Sequence, residues 1–253
     1  MQEEIKELNP LGYKPIGKLL KSLAIPAIIA NLVNALYNVV DQIFIGQRVG
    51  YLGNAATNIA FPITTICLAI GLTLGIGGAS NFNLELGKGY PEKSKHTAGT
   101  AASTLIIIGI ILCISVRIFL EPLMIGFGAT NKILEYSMEY TGITSYGIPF
   151  LLFSIGVNPL VRADGNAKYS MIAIVTGAIL NTILDPLFMF VYNWGIAGAA
   201  WATVISQIVS ATLLLIYFPR FKSVKFSLND FIPQLHYLKR IISLGFASFI
   251  YQF

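Results

Sequence analysis

Leu105 to Cys113 reads LIIIGIILC, nine consecutive residues without a charge, an amide or a hydroxyl. A lipid-facing β-strand alternates apolar and polar residues over about ten positions. This run does not alternate, so it is read as helix. Since every backbone polar group must find a partner within lipid, helices and closed barrels are the two ways to cross a membrane, and the run decides between them. It lies in an apolar stretch, 97–119, close to the roughly 20 residues that a crossing needs. Five further stretches of that kind cover 20–44, 55–80, 136–161, 169–192 and 196–218, and a seventh begins near Leu238. The fold class is therefore an all-α membrane protein. Pro26, Pro62, Pro149 and Pro159 fall within the longer stretches and predict tilts or kinks.

Composition agrees. The 253 residues are 55% hydrophobic and 11% charged, against roughly 25% charged in soluble proteins, which excludes a soluble enzyme. A mean hydropathy of +0.70 excludes disorder, because disordered chains lack the apolar surface that offsets ordering entropy. Cys67 and Cys113 both lie in apolar runs, with no disulfide framework and no Cys/His cluster spaced for a metal. The net charge of +5 does not point to nucleic acid, since the basic residues form no stripe with interleaved aromatics.

Those basic residues instead report topology. Fourteen fall before the first stretch, between the second and third, after the fourth, and around the last loop, whereas the alternate loops hold only Arg48, Arg117 and Lys132. Lys and Arg accumulate in cytoplasmic loops, so the amino terminus is placed in the cytoplasm. A cleaved signal peptide does not fit, because the first stretch outruns an ordinary h-region and contains Asn31, Asn34, Asn38 and Asp41. Tyr13, Trp194 and Tyr237 stand where interfacial aromatics are expected, and the other aromatics are read as mostly lipid-facing or interfacial. Glycines such as Gly71, Gly75, Gly77 and Gly78 are read as sites of close helix packing.

The expected organisation is a cytoplasmic segment at 1–19, a six-helix lobe at 20–218, a cytoplasmic loop at 219–237 and the start of a second lobe at 238–253. The last segment, still apolar at Phe253, is too short for a crossing, and a truncated chain is expected. Lys239–Ala247 (KRIISLGFA) can be laid on Lys18–Pro26 (KLLKSLAIP), pairing Ser22 with Ser243 and Leu23 with Leu244. Transporters are often built from such duplicated bundles.

Of twelve carboxylates, most sit in loop sequence, Asp164 and Asp230 among them, and Asp41 and Asp185 are clearly embedded in apolar stretches. An ionised acid there costs about 2.5–3.5 kcal/mol, so it usually marks an ion or proton pathway. Asn31, Asn34, Tyr37, Asn38 and Asp41 recur at steps of three and four, which places them on one helical face. Asn181 precedes Asp185 by one turn, and Pro186 follows, freeing a carbonyl near the acid. Thr203 and Gln207 repeat the four-residue step. Carboxylate, amide and hydroxyl oxygens suit a hard monovalent cation, and a desolvated acid can also carry a proton. Single amides such as Asn31 or Gln207 are explained by helix–helix hydrogen bonding, worth about 0.6 kcal/mol each. The two acids are not, because their burial costs more than such a bond returns.

Taken in order, Asp41–Gly46 (DQIFIG) after Pro26, Arg162–Asn166 (RADGN), Asn181–Pro186 (NTILDP) and Gly195–Thr203 (GIAGAAWAT) resemble the multidrug and toxic compound extrusion (MATE) family, nearest its bacterial MepA-like branch. The resemblance covers the chain from about Leu19 onward. It implies the amino-terminal lobe, plus the start of helix seven, of an antiporter of two six-helix lobes in the plasma membrane that exports bulky amphipathic organic cations or drugs against sodium or protons. It implies no cofactor beyond that coupling ion, and an ion site at Asp41, Asn181, Asp185 and Thr203. A substrate cavity and polar network would take in Asn34, Tyr37, Asn38, Asn158 and Gln207. The expected partners are the lipid bilayer, the exported compound and the missing carboxy-terminal lobe, without which a lone lobe cannot enclose a central cavity.

Three alternatives stand beside this reading. A lipid-linked oligosaccharide flippase should present several Arg and Lys to pyrophosphate, and no basic residue sits mid-span. An intramembrane aspartyl protease would use two acids sharing a proton, but the presenilin-like Tyr-Asp and Gly-x-Gly-Asp signatures are replaced by Val40-Asp41 and Leu184-Asp185. An inactive half-transporter fragment is the third.

Overall fold

The computed structural model describes residues 15–252, in which all regular structure is helical. Tyr13 and the first lysines of the topology argument lie outside them. The helices are α1 (Ile16–Arg48), α2 (Tyr51–Gly87), α3 (Pro91–Ile118), the short α4 (Leu120–Gly126), α5 (Asn131–Thr144), α6 (Ile148–Ala163), α7 (Ala167–Pro186), α8 (Ile196–Tyr217) and α9 (Leu235–Ile250). Six stretches are long and apolar enough to cross a membrane, with α5 and α6 joined as one of them, Asn131–Ala163. The chain is a multi-pass membrane protein.

Each crossing extends beyond its hydropathic stretch. The first runs from Ile16 to Arg48, for example, and the second from Tyr51 to Gly87, because helical hydrogen bonding continues into polar flanks where water begins. Pro26, Pro62 and Pro159 are carried inside helices, whereas Pro149 stands in the first turn of α6, just after a 3-10 turn at Ser145–Gly147 that breaks the fourth crossing. At Pro186 the missing N–H removes one rung of the α7 ladder, and the chain widens into a π-helical stretch, Leu187–Val191. Asp185 sits at the lip of that irregularity.

The stretch that decided the fold presents two faces. Leu105 is fully buried, in a core with Phe82, Leu152, Leu160 and Leu214, while Ile106, Ile107, Ile110 and Ile111 are exposed. In water such a surface would mark an interface; on a crossing helix it is the lipid-facing side. Small residues let the helices close: a Cβ on Gly75 would press on the Gly156 backbone of α6, and one on Gly77 on the Ile241 backbone of α9.

Two acids expected in loops turn out to be buried anchors. Asp164, fully buried, accepts from the Tyr217 hydroxyl at 2.8 Å and from the backbone N–H groups of Lys222 and Ser223 at 2.9 Å, tying the turn after α6 to the segment after α8. Gly165 makes that turn at φ +86°. Asp230 caps its own turn through Ser227 and meets His96 Nδ1 at 3.2 Å. Phe218, Phe221, Phe226 and Phe231 pack edge-on and tilted between these anchors, so the segment from α8 to α9 is held against the bundle.

Candidate functional site

Asp41 stands late in α1, 7% exposed, and Asp185 at the end of α7, fully buried. Helical periodicity turns both inward, and α1 packs chiefly along α7. Their carboxyl groups come within hydrogen-bonding reach of each other. Asp41 Oδ2 accepts from Gln42 Nε2 at 3.3 Å, and Gln42 Oε1 in turn accepts from Thr57 of α2 at 3.1 Å. Asp185 Oδ1 accepts from Asn181 Nδ2 at 3.3 Å, which also reaches Thr203 Oγ1 of α8 at 3.4 Å.

One oxygen on each acid, Asp41 Oδ1 and Asp185 Oδ2, has no donor among the described residues, and neither has Asn181 Oδ1. Ionised carboxylates only accept hydrogen bonds, so two of them in contact out of water need a positive species between them. A proton or a small cation satisfies both. Four oxygen-bearing side chains, Asp41, Asn181, Asp185 and Thr203, are therefore brought together on three helices. Tyr140 of α5 borders the same spot and faces Thr203. Sequence reading did not single it out from the aromatics taken as mostly lipid-facing or interfacial.

Next to this cluster opens a cavity of about 250 Å³. Asn34, Tyr37, Asn158 and Gln207 line it, and Asn181 and Thr203 form its border with the acids, which themselves stand behind it. Asn38 does not line it: its amide donates back to the Asn34 carbonyl at 2.7 Å on an exposed face of α1. Asn158 is tied to Ser170 by bonds of 2.9 and 3.2 Å, linking α6 to α7. Ser154, Ser206 and Gln207 bring to the lining buried oxygens without partners among the described residues; the two serines escape a sequence reading because a hydroxyl alone carries no signal in an apolar helix. Arg162, in the last turn of α6, is the one charged side chain in the lining among the described residues. Sequence placed it after the fourth span, outside any cavity. A single guanidinium still falls short of the cluster of cations that a pyrophosphate would need.

The family model MatE matches residues 26–187. The multidrug export protein MepA of Staphylococcus haemolyticus is 25% identical over 240 residues, 93% of this chain and 52% of that protein. MepA of Staphylococcus aureus strain NCTC 8325 is 26% identical over 247 residues, 97% of this chain and 54% of its own. Among solved structures, the outward-facing conformation of a multidrug resistance MATE family transporter of the MOP superfamily superposes with a TM-score of 0.87 at 27% identity, covering 99% of this chain and 54% of that one. The chain thus spans about half the length of the curated relatives it matches.

Proposed function

The chain belongs to the MatE family, and on that premise we propose that it is the cation-binding half of an antiporter that exports amphipathic organic cations or drugs across the plasma membrane in exchange for sodium or protons. Its amino terminus lies in the cytoplasm, and a second six-helix lobe completes the central cavity. Asp41, Asn181, Asp185 and Thr203 hold the coupling ion, which is cargo of the cycle. Asn34, Tyr37, Asn158 and Gln207 contribute to the wall that meets the exported compound.

The observation that supports this reading is the pair of buried acids in contact, each with an oxygen that no donor among the described residues serves. A lone buried acid could bind a proton without sensing a second helix. Here a cation draws α1 and α7 together, while its departure leaves two carboxylates in repulsion. Coupling follows when the ion and the exported compound favour different arrangements of these helices, since each ligand shifts the equilibrium only by its differential affinity. Asn181 donates to Asp185 and reaches Thr203, and both Asn181 and Thr203 line the cavity, so they transmit the change.

The test is ion-driven drug efflux from membrane vesicles carrying the chain together with its second lobe. Asp41→Asn and Asp185→Asn should each abolish export driven by a sodium or pH gradient. Retention of ion-driven export in both variants would refute the assignment.

A further inference from the structure

A second polar hollow, of about 170 Å³, lies at the opposite end of α2 from Thr57, where the α2–α3 turn meets the first turns of α9. Glu85 sits there 4% exposed and pairs with Lys88 Nζ at 3.1 Å and Arg240 Nη2 at 3.3 Å. Lys93 completes the rim, with its ammonium 4.4 Å from the centre of the Tyr90 ring and no carboxylate partner among the described residues. Three fixed positive charges therefore surround one negative charge, and the lysine and arginine heads remain about half exposed. Asn81 forms part of the lining. It is fully buried and donates to Thr97 Oγ1 at 2.8 Å, while its own side-chain oxygen has no partner.

This combination calls for a ligand that is anionic at one end and carries a hydroxyl at the other. We infer that the hollow binds a phosphate group bearing a hydroxylated substituent, supplied by the glycerol headgroup of an anionic phospholipid. The phosphate oxygens accept from Lys88, Lys93 and Arg240, since such charge-assisted bonds are the strong ones, and the headgroup hydroxyl donates to the Asn81 oxygen. Membrane origin is favoured by position: basic pockets between helices at the membrane surface are where anionic headgroups bind, Tyr90 and Tyr237 are interfacial residues by type, and Leu84 and Leu244 are exposed on the two helices that frame the hollow. A lipid seated there bridges the α2–α3 turn to α9. The inference does not depend on the ion site.

The experiment titrates the purified chain, in neutral detergent, with phosphatidylglycerol and with phosphatidylcholine of the same acyl chains, read by native mass spectrometry. Phosphatidylglycerol should bind more tightly, and Lys93→Gln and Arg240→Gln should each weaken it about fivefold, the equivalent of about 1 kcal/mol per cation. Lys168→Gln, which removes an exposed lysine outside the hollow, should leave it unchanged. Lys93 forms no ion pair with an acid among the described residues, so its variant reports binding even if Arg240→Gln fails to fold. Glycerol 3-phosphate that displaces the lipid at equal concentration would reassign the site to a soluble phosphate and overturn the membrane source. Equal affinity for both lipids, or an effect of Lys168→Gln as large as that of Lys93→Gln, would overturn the site altogether.

Discussion

Asparagine in place of Asp185 keeps the shape of the side chain and its contact with Asn181 but removes one of two adjacent buried negative charges. An ionised acid within the membrane costs about 2.5–3.5 kcal/mol, and no donor among the described residues serves Asp185 Oδ2 to offset that cost. Under sodium-free alkaline conditions the variant should therefore be more stable than the wild type by about 3 kcal/mol. For a protein of this size that corresponds to an unfolding midpoint higher by roughly 6–12 °C. A cation at a hundred times its dissociation constant stabilises the folded wild type by about 2.7 kcal/mol, so added sodium, or acid that supplies the proton, should close most of the gap. Thermal unfolding in detergent, followed by Trp194 and Trp201 fluorescence, reads both effects. The reasoning is refuted if Asp185→Asn is the less stable protein under every condition, or if the wild-type midpoint responds to neither sodium nor acid.

Further variants probe the scaffold. Asp164→Ala removes the shared acceptor of the Tyr217 hydroxyl and the Lys222 and Ser223 N–H groups; it should cost about 3 kcal/mol, and Tyr217→Phe about 1 kcal/mol, in the same unfolding assay. Gly75→Leu drives a side chain into the Gly156 backbone and should sharply lower the yield of monodisperse protein on size-exclusion chromatography, whereas Gly87→Ala, with open space at its Cβ, should not. Pro186→Ala restores a helix donor beside the π-helical stretch and moves the Asp185 carboxyl. Sodium titration by calorimetry should detect weaker binding without a lower unfolding midpoint.

Lipid made much of this fold legible. Long apolar stretches have few alternatives to helix, so all six crossings could be located, with ends up to seven residues short, and the two acids stood out because charge is rare in such surroundings. What escaped reading was whatever depends on the third dimension in polar sequence. Glu85, Asp164 and Asp230 occupy segments that look like solvated loops, yet each is buried because segments remote in sequence close over it. The short helix α4 has too few turns to show a period, and the 3-10 break at Ser145–Gly147 lies within an otherwise apolar stretch. Asn38 shares its face with Asp41 by spacing, but a helix exposes more width than one neighbour covers, and its amide turned back to its own backbone. Arg162 looked like the end of a span, and only the packing of helices remote in sequence shows the cavity that its side chain lines.

The central claim is that Asp41 and Asp185 hold one positive species between them. Infrared difference spectroscopy of the purified chain, scanned through pH with and without sodium, observes that species at the carboxyl groups themselves. The expected result is a protonated-carboxyl band that vanishes in both Asp41→Asn and Asp185→Asn, or a carboxylate band that shifts on sodium binding and no longer does so in either variant. Carboxylate bands indifferent to proton, sodium and both substitutions would contradict it.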